Sequence, residues 1–201
     1  ELSQVVQTNT SELEILDNKI TTTVEKVDKM EVGGQNLLLN SNFTHGISSW
    51  TQTTSYSIVN DPIFGKCCKV VSFDTSKGIF QVPQRHSKGT YSWSVWLKSD
   101  APMKFQIVHE GGTGTMIVDL TSEWKLFKGT GVWNGVQGAF ALYGYGVGNN
   151  AYIANVMYEV GNMPSSWYPN PQDIFTDINS KNRVFYQDNE PTEKHRGDLW
   201  I

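Results

Sequence analysis

The clearest strand signal in the chain lies in one stretch, Thr90-Tyr91-Ser92-Trp93-Ser94-Val95-Trp96-Leu97-Lys98. Every second residue of it is large and apolar, and the residues between them are polar except for Trp96. Because successive side chains of a strand point to opposite faces, this alternation predicts a strand with one face in a core and the other outside. Trp93 belongs to the inward set, whereas Trp96 and Lys98 belong to the outward set.

Further stretches of the same kind follow and precede this one. Phe105 and Ile107 alternate with Lys104, Gln106 and Val108, and turn residues such as Asn60-Asp61-Pro62 separate the stretches. The predicted strands are residues 56–60, 67–73, 78–82, 90–98, 103–109, 115–119, 124–131, 138–145 and 152–159. Eight or nine short strands without an internal helix predict a mainly β fold, a jelly-roll β-sandwich of two packed sheets.

Residues 2–30 have a different period, with apolar positions spaced alternately four and three residues apart. A stripe confined to the a and d positions of sustained heptads predicts an α-helical coiled coil. An amphipathic helix packed on its own chain is the alternative. The paired Gly33 and Gly34 are suited to end the helix. The predicted seam is Leu2, Val6, Asn9, Leu13, Leu16, Ile20, Thr23, Val27 and Met30.

The sequence leaves the number of strands in the coiled coil open. Val5 and Val24 flank the seam and widen it, which suits three strands better than two. Polar Asn9 and Thr23 inside the seam would fix the register at some cost in stability. The charged residues beside the seam would form both attractive and repulsive pairs between helices, so they do not determine the number of helices.

Composition excludes several classes of function. The formal net charge is −4 and no long run of basic residues is present, so a nucleic-acid footprint is absent from the sequence. No stretch of 18 apolar residues predicts a membrane span. The two cysteines, Cys67 and Cys68, are neighbours, and we expect reduced thiols used as small apolar side chains. The chain begins with Glu1, which favours an internal fragment of a longer protein.

No catalytic motif is visible, and we therefore expect a protein that is not an enzyme. A glycosidase needs two carboxylates that converge on one bond, and nothing in the sequence brings the acidic residues together. The histidines have no spacing typical of a metal site. The acidic residues considered are Glu110, Asp119, Glu123 and Glu159.

Two motifs frame the β region. The opening motif is Asn36-Leu37-Leu38-Leu39-Asn40-Ser41-Asn42-Phe43, followed by Gly46 and Trp50. The closing motif is Tyr158-Glu159-Val160-Gly161 together with Trp167-Tyr168-Pro169-Asn170-Pro171-Gln172-Asp173. Together they resemble the start and end of carbohydrate-binding jelly-roll modules, of the family 4, 9 and 22 type, in tail and baseplate proteins of siphophages of streptococci and lactococci.

This resemblance implies an organisation and a function. Residues 1–32 would form a parallel trimeric coiled coil, 33–171 the carbohydrate-binding module, and 172–201 a linker and the start of a further domain. The chain would be part of a receptor-binding protein in the virion, at the tail tip or baseplate. Its partners would be host cell-wall or surface polysaccharide and other phage tail proteins. The alternatives are a structural spacer without a ligand and a targeting module of a tail-associated lysin or glycoside hydrolase.

The outward residues of two predicted strands have the chemistry of a saccharide site. Sugars present an apolar face to aromatic rings and hydroxyl groups to amides and charged groups. If the strands 90–98 and 103–109 lie side by side, Trp96, Lys98, Lys104 and Gln106 form one surface, which Tyr143 and Tyr145 would extend. Plain packing is the alternative for each aromatic residue, and we expect it for Trp93, Trp124 and Trp167.

The resemblance also implies a possible structural Ca²⁺ where the first and last strands of such modules meet. Here the matching segment contains Ala154 and Asn155 where related modules carry acidic residues. Glu159 would be the charged ligand, with Asn40 or Asn42 as neutral oxygen ligands. Calcium prefers several hard oxygen ligands that carry more than one negative charge, and these three residues supply only one charge. No other cofactor is expected.

Overall fold

A long helix precedes a series of short strands in the computed structural model. The structure describes residues 2–28, 30, 33–71, 75–83, 87–136, 138–146, 149–180, 184–185 and 199–200. Helix α1 is Leu2–Asp28 and helix α2 is Pro171–Ser180. The strands are β1 Thr51–Gln52, β2 Tyr56–Asp61, β3 Gly65–Val71, β4 Gly78–Gln81, β5 Gly89–Ser99, β6 Met103–His109, β7 Met116–Leu120, β8 Lys125–Trp133, β9 Phe140–Gly144, β10 Asn150–Val160, β11 Val184–Phe185 and β12 Leu199–Trp200.

Strands β1–β10 pair into two antiparallel sheets. The β6 sheet has the order β1-β4-β9-β6-β7, and the β5 sheet has the order β2-β3-β10-β5-β8. Their inner side chains meet in one apolar core, so the predicted mainly β sandwich of two sheets is confirmed. Each of the nine strands predicted from alternation overlaps an observed strand. Among β1–β10 only β1 was not predicted, because two exposed residues carry no readable pattern.

Asn36, which is fully buried, joins the opening motif to the closing motif. Its Oδ1 accepts hydrogen bonds from the backbone N–H groups of Leu38 and Tyr158, at 3.1 and 3.2 Å. Its Nδ2 donates to the carbonyl oxygens of Val156 and Tyr168, at 3.0 and 3.1 Å. A buried amide is costly unless its donors and acceptors are paired, so these bonds fix the two ends of the module against each other.

A β-bulge in β10 makes this junction possible. The register of β10 against β5 shifts between Ala154 and Met157, and Asn155 adopts a positive φ of 45°. An extra residue on one strand of an antiparallel pair leaves part of its backbone unpaired with the neighbouring strand. Val156 lies in the bulge, and its N–H donates instead to the carbonyl oxygen of Ser41, at 2.9 Å. The opening segment is thereby held against the central strand of the β5 sheet.

Trp93 lies at the centre of the core with no exposed surface, as the alternation predicted. Its ring packs on Phe140 of the opposite sheet, with centroids 5.9 Å apart. Gly129, on the neighbouring strand β8, makes room for the indole, because a Cβ there would lie 2.7 Å from Trp93 Cζ2. A larger residue at position 129 would therefore displace the largest side chain of the core.

His109 is buried among aromatic rings between the two sheets. Its Nδ1 lies 2.8 Å from the carbonyl oxygen of Thr113, and its Nε2 lies 2.7 Å from the Tyr158 hydroxyl. Since a carbonyl only accepts, the neutral ring carries its proton on Nδ1 and accepts the Tyr158 proton at Nε2. Burial lowers the pKa of His109, and the Thr113 carbonyl only partly opposes this. The imidazole therefore stays neutral near neutral pH.

Helix α1 does not pack on the sandwich. Every side chain of α1 that the structure describes is exposed, including Leu13, Leu16 and Ile20 of the predicted seam. The alternative of an amphipathic helix buried against its own chain is therefore wrong for these residues, while the coiled coil stays a prediction. In the described part of the chain, no helix combines the length and apolar character that crossing a membrane requires.

Helix α2 is tied to the opening motif. Asn170 caps its start by accepting a hydrogen bond from the N–H of Gln172, at 2.8 Å, and Pro171 occupies the first helical position. Asp173, in the first turn, accepts a hydrogen bond from the N–H of Asn40, at 2.8 Å. Three large apolar side chains of α2 are exposed: Ile174, Phe175 and Ile178.

Replacing Trp93 by alanine should cost about 3–5 kcal/mol of unfolding free energy, because it removes a fully buried ring and leaves a cavity. Trp93→Phe should cost clearly less, since the ring is retained in part and the indole N–H has no hydrogen-bond partner in the described residues. Urea denaturation of the three proteins measures both effects. Equal midpoints for wild type and Trp93→Ala would contradict the position of this side chain in the core.

The stability should also depend on pH through His109. Its folded pKa lies below the unfolded value of about 6.5, so only the unfolded chain takes up a proton as the pH falls through 6.5. This contribution is present above pH 6.5 and is lost progressively toward the lower folded pKa. We expect the unfolding free energy of wild type to fall more between pH 7.5 and 5.5 than that of His109→Gln. The remaining histidines are common to both proteins, so parallel curves would refute the assignment.

Candidate functional site

The predicted site residues lie on two separate outer faces of the sandwich. Trp96 and Lys98 are on β5, whereas Lys104 and Gln106 are on β6. These strands belong to different sheets, because residues 100–102 carry the chain across the sandwich: β5 pairs with β10 and β8, and β6 pairs with β9 and β7. The single surface expected if the two strands lay side by side is therefore wrong. Consecutive strands were assumed to be neighbours, and here they are not.

We call the outer side of the β6 sheet the β6 face. In one row across the sheet, Tyr143 lies between Gly78 and Gln106. In the next row, Ala141 lies between Phe80 and Val108. Each ring thus has a residue with a small side chain, or none, as one neighbour. The β6 face consists of Phe80, Lys104, Gln106, Val108, Glu110, Ile117, Asp119, Ala141, Tyr143 and Tyr145.

The side chain of Tyr143 is mostly buried beneath the surface of the β6 face. Its side chain is only 8% exposed, and its ring packs edge to face on Phe80, with centroids 6.5 Å apart. Its hydroxyl donates to Glu110 Oε1, at 3.4 Å. Burial, and then the nearby Glu110 carboxylate, raises the pKa of Tyr143 to about 12, so the phenol remains a donor at neutral pH. Tyr143 therefore holds the Glu110 carboxylate in place.

Gln106 occupies the middle of the β6 face. Its Nε2 donates to the carbonyl oxygen of Gly144, at 3.2 Å, which fixes the orientation of the amide. Within the described residues its Oε1 has no protein partner and is available as an acceptor. Tyr145 is 41% exposed beyond the end of β9, where its N–H reaches the carbonyl oxygen of Lys104. Lys104 itself pairs with Asp119, at 3.0 Å.

We call the outer side of the β5 sheet the β5 face. It carries a cluster of half-buried aromatic rings. Phe64, in the turn between β2 and β3, packs on Trp96 with centroids 5.5 Å apart and on Trp124 at 4.8 Å. The Nζ of Lys98 lies 4.8 Å from the Trp124 ring centroid and 5.2 Å from that of Tyr152. The β5 face consists of Asp61, Phe64, Lys69, Trp96, Lys98, Trp124, Lys128 and Tyr152.

Asp61 organises the β5 face from beneath. This carboxylate is 8% exposed; its Oδ1 accepts from the N–H groups of Ile63 and Phe64, and its Oδ2 accepts from Trp124 Nε1, at 3.1 Å. Lys98 Nζ lies 3.6 Å from the same Oδ2. Burial alone would raise the pKa of Asp61, but the three hydrogen bonds and Lys98 together bring it below its usual value. The ionised carboxylate thus fixes the turn, the indole and the lysine in one arrangement.

Sequence reasoning missed several residues of both faces. Glu110 could have been found from the sequence, because it lies two residues beyond Val108, which alternates with the inward residues of its strand. Phe80 could not, because no residue of the predicted strand 78–82 had been assigned to a face. Plain packing was expected for Trp124, which precedes β8 and lies half-buried on the β5 face, packed on Phe64 and bonded through its indole to Asp61. Trp167 packs at the frame, where its Nε1 donates to the Ser41 hydroxyl.

The three candidate calcium ligands are each engaged with protein groups. Both carboxylate oxygens of Glu159 bond to Ser165, at 2.6 and 3.0 Å. The Asn40 amide bonds to Gly46, Ser48 and His45, and Asn42 Oδ1 accepts from the N–H of Thr44. Nowhere in the described residues do three or more His, Cys, Asp or Glu side chains form a metal-binding group. The arrangement does not fit a calcium site, which needs several convergent oxygens.

Comparison with solved structures identifies the fold. The CBM22-1 xylan-binding domain of Xyn10C from Paenibacillus barcinonensis superposes with a TM-score of 0.51 at 13% identity, over 66% of this chain and 99% of that domain. The tandem CBM22-1-CBM22-2 structure from the same protein gives a TM-score of 0.51 at 11% identity, over 68% of this chain. The chain spans 49% of that tandem structure. At these identities the similarity establishes a fold shared with carbohydrate-binding modules.

No protein-family model matches the sequence. No curated protein matches it significantly.

Proposed function

We propose that this chain is a non-catalytic carbohydrate-binding module whose β6 face binds a neutral host saccharide. The observation that carries the proposal is the combination of Phe80 and Tyr145 with the amide of Gln106 and the carboxylate of Glu110 on one outer face. The solvent-facing side of an antiparallel sheet is commonly polar, so aromatic rings there need an explanation. Its ring surfaces and its unused acceptors are the two kinds of contact that a sugar requires.

The chemistry of the ligand explains this combination. A pyranose ring has an apolar C–H face that packs on an aromatic ring, and hydroxyl groups that need both donors and acceptors. Gln106 Oε1 and Glu110 accept hydroxyl protons, and Lys104 adds a donor at the end of the face. The similarity to a xylan-binding domain supports the same reading, because that structure shows that this fold hosts a saccharide site.

The positions of the carboxylates support a binding role without hydrolysis. Asp119 pairs with Lys104 at one end of β6, and Glu110 follows the other end. Six residues of a strand span about 20 Å, so these two carboxylates are much farther apart than a glycosidase requires. Glu159 belongs to the β5 sheet, and Glu123 precedes β8. None of these pairs of carboxylates would therefore flank a single glycosidic bond.

We further propose that the module acts in host adhesion at the tail of a phage of Gram-positive bacteria, as a parallel trimer held by α1. The framing motifs support the phage origin. The exposed seam of α1 supports association, because a stripe of large apolar side chains in water is unfavourable until a second helix covers it. Three modules on one axis would convert weak binding of a single saccharide into useful avidity.

A structural spacer and a targeting module of a lysin or glycoside hydrolase remain rival functions. A spacer would carry the same fold but would not bind saccharide through the β6 face. A targeting module would bind it, but catalytic motifs would be found in parts of the protein beyond these 201 residues. The variants described next distinguish the spacer, and the flanking gene sequence distinguishes the lysin.

Replacing Gln106 by alanine should weaken binding of a neutral cell-wall oligosaccharide by roughly two- to tenfold, because it removes a hydrogen bond worth about 0.5–1.5 kcal/mol. Tyr145→Ala should have at least a comparable effect through lost ring contact. A ligand is first selected with a panel of neutral cell-wall oligosaccharides, and Kd is then measured by calorimetry. Trp96→Ala, on the opposite face, is the control and should leave this Kd unchanged. No binding in the panel would favour the spacer, and equal Kd values for all variants would refute a binding site on the β6 face.

The oligomeric state provides a second test of the proposal. Leu16 lies in the predicted seam, whereas Ile15 lies outside it, at position c of the heptad; in the single chain they are similarly exposed, at 53% and 55%. A trimeric coiled coil should be disrupted by Leu16→Asp, because a buried charge is costly, but not by Ile15→Asp. Sedimentation equilibrium should give trimers for wild type and Ile15→Asp, and monomers for Leu16→Asp.

A fragment beginning at Gly33 should also be monomeric in the same experiment. A monomeric wild type would refute the trimer. A fragment without the helix that stayed trimeric would place the association in the sandwich instead.

A further inference from the structure

We propose that the β5 face is a second ligand site, and that its ligand is an anionic saccharide. This site is separate from the one on the β6 face and does not depend on it. Its residues come from β2, β3, β5, β8 and β10, from the turn after β2 and from the segment before β8. The two faces lie on opposite sides of the sandwich, so one module would contact two chemically different parts of a cell surface.

The aromatic half of the β5 face consists of Phe64, Trp96 and Trp124. All three are half-buried, and their rings are in mutual contact through Phe64, at 5.5 and 4.8 Å between centroids. A contiguous group of large rings on an outer face is unusual in a soluble domain and indicates an interaction site. Rigid rings lose little conformational entropy on binding, which makes them good contacts for a sugar ring.

The cationic half lies beside it, around Tyr152. Lys69 and Lys98 place their Nζ atoms 5.6 and 5.2 Å from the centroid of this one ring. Lys98 is partly neutralised by Asp61, at 3.6 Å. In the described residues, Lys69 is in no ion pair. Asp100, the other acidic group here, accepts hydrogen bonds from Asn150 and Tyr152, which with Lys69 and Lys98 lower its pKa, so it stays ionised and attracts both lysines. An anion between the two lysines would be attracted by both ammonium groups, in competition with Asp61 for Lys98 and with Asp100 for both.

The charge of the face favours the same ligand. Lys128 lies opposite Ser94, beside Trp96, on the same outer side of the sheet. Three lysines on this face thus stand against Asp61 and Asp100, of which Asp61 is buried beneath the rings. The β6 face differs, because its lysine is paired with Asp119 and its central groups are acceptors. Acceptors suit neutral hydroxyl groups, whereas lysines beside rings suit a sugar that carries a carboxylate or a phosphate.

The site is also organised before any ligand arrives. Asp61 holds the turn that carries Phe64, the indole of Trp124 and the ammonium of Lys98 in one network. Groups fixed in this way need no reordering on binding, which preserves affinity. A network needed only for folding would not require four rings and Lys69 at the surface. The structure therefore assigns ring contact to Trp96 and Phe64, and charge recognition to Lys69 and Lys98.

The test uses the full chain labelled with ¹⁵N and two matched probes, oligogalacturonate and the neutral galacto-oligosaccharide of equal length. A third probe, a glycerol-phosphate polymer, distinguishes a phosphate from a carboxylate as the anion. We expect an anionic probe to shift the indole N–H signals of Trp96 and Trp124, and the neutral probe to leave them unchanged. The affinity should fall as salt rises, since exposed charges are screened.

Variants assign the effect to residues. Trp96→Ala should weaken binding of the anionic probe at least tenfold. Lys69→Gln should weaken it about fivefold and should reduce its dependence on salt. Lys66→Gln, the same change of charge on the same strand but on its other side, is the matched control and should have no effect. Gln106→Ala should have none either, so the result is independent of the β6 face.

Thermal melts of each variant exclude loss of folding as the cause. The proposal is overturned if neither anionic probe shifts the two indole signals, if the neutral probe shifts them as strongly as an anionic one, or if Lys66→Gln weakens binding of the anionic probe as much as Lys69→Gln.

Discussion

The arrangement of the opening and closing motifs depends on the hydrogen bonds of the buried Asn36 side chain. Its bonds to Val156 and Tyr158 hold β10, and β10 lies between β3 and β5 in the centre of its sheet. Asn170 Nδ2 in turn donates to the Asn36 carbonyl oxygen, at 2.7 Å, so the closing motif is held at the same point. Leaving any of these buried groups unpaired would cost about 1–3 kcal/mol each. The two motifs that frame the sequence thus have a structural reason to occur together.

Local alternation predicted most of the strands but none of their pairing. Tyr91 to Leu97 alternate because β5 has one face in the core, and this pattern placed Trp93 inside and Trp96 outside correctly. Whether β6 lies beside β5 is decided by where residues 100–102 lead the chain, and no periodicity encodes that. Trp124 precedes its strand, so alternation could not assign it either. The outward direction of residues such as Trp96 could thus be predicted from the sequence, but the division of the candidate residues between two sheets could not.

The crossing between the sheets separates two kinds of chemistry. On the β6 face, Tyr143 orients the Glu110 carboxylate, Gln106 presents its amide oxygen, and Lys104 is paired to Asp119. On the β5 face, rings and lysines share the surface, and the acidic group lies beneath them as Asp61. Both faces are fixed by bonds within the sandwich, so neither needs to rearrange when a ligand binds. A rigid β scaffold of this kind can carry two unrelated surfaces without compromising one for the other.

The placement of α1 determines how these surfaces would be presented. Because the helix leaves the sandwich with its described side chains uncovered, association through it would occupy neither sheet face. Copies joined by a parallel coiled coil would point their sandwiches away from one axis and repeat both faces around it. Each face would then act at the raised effective concentration that a common axis provides. Weak contacts of both kinds, repeated in this way, would add up to firm attachment to a polymer that presents neutral and charged sugars together.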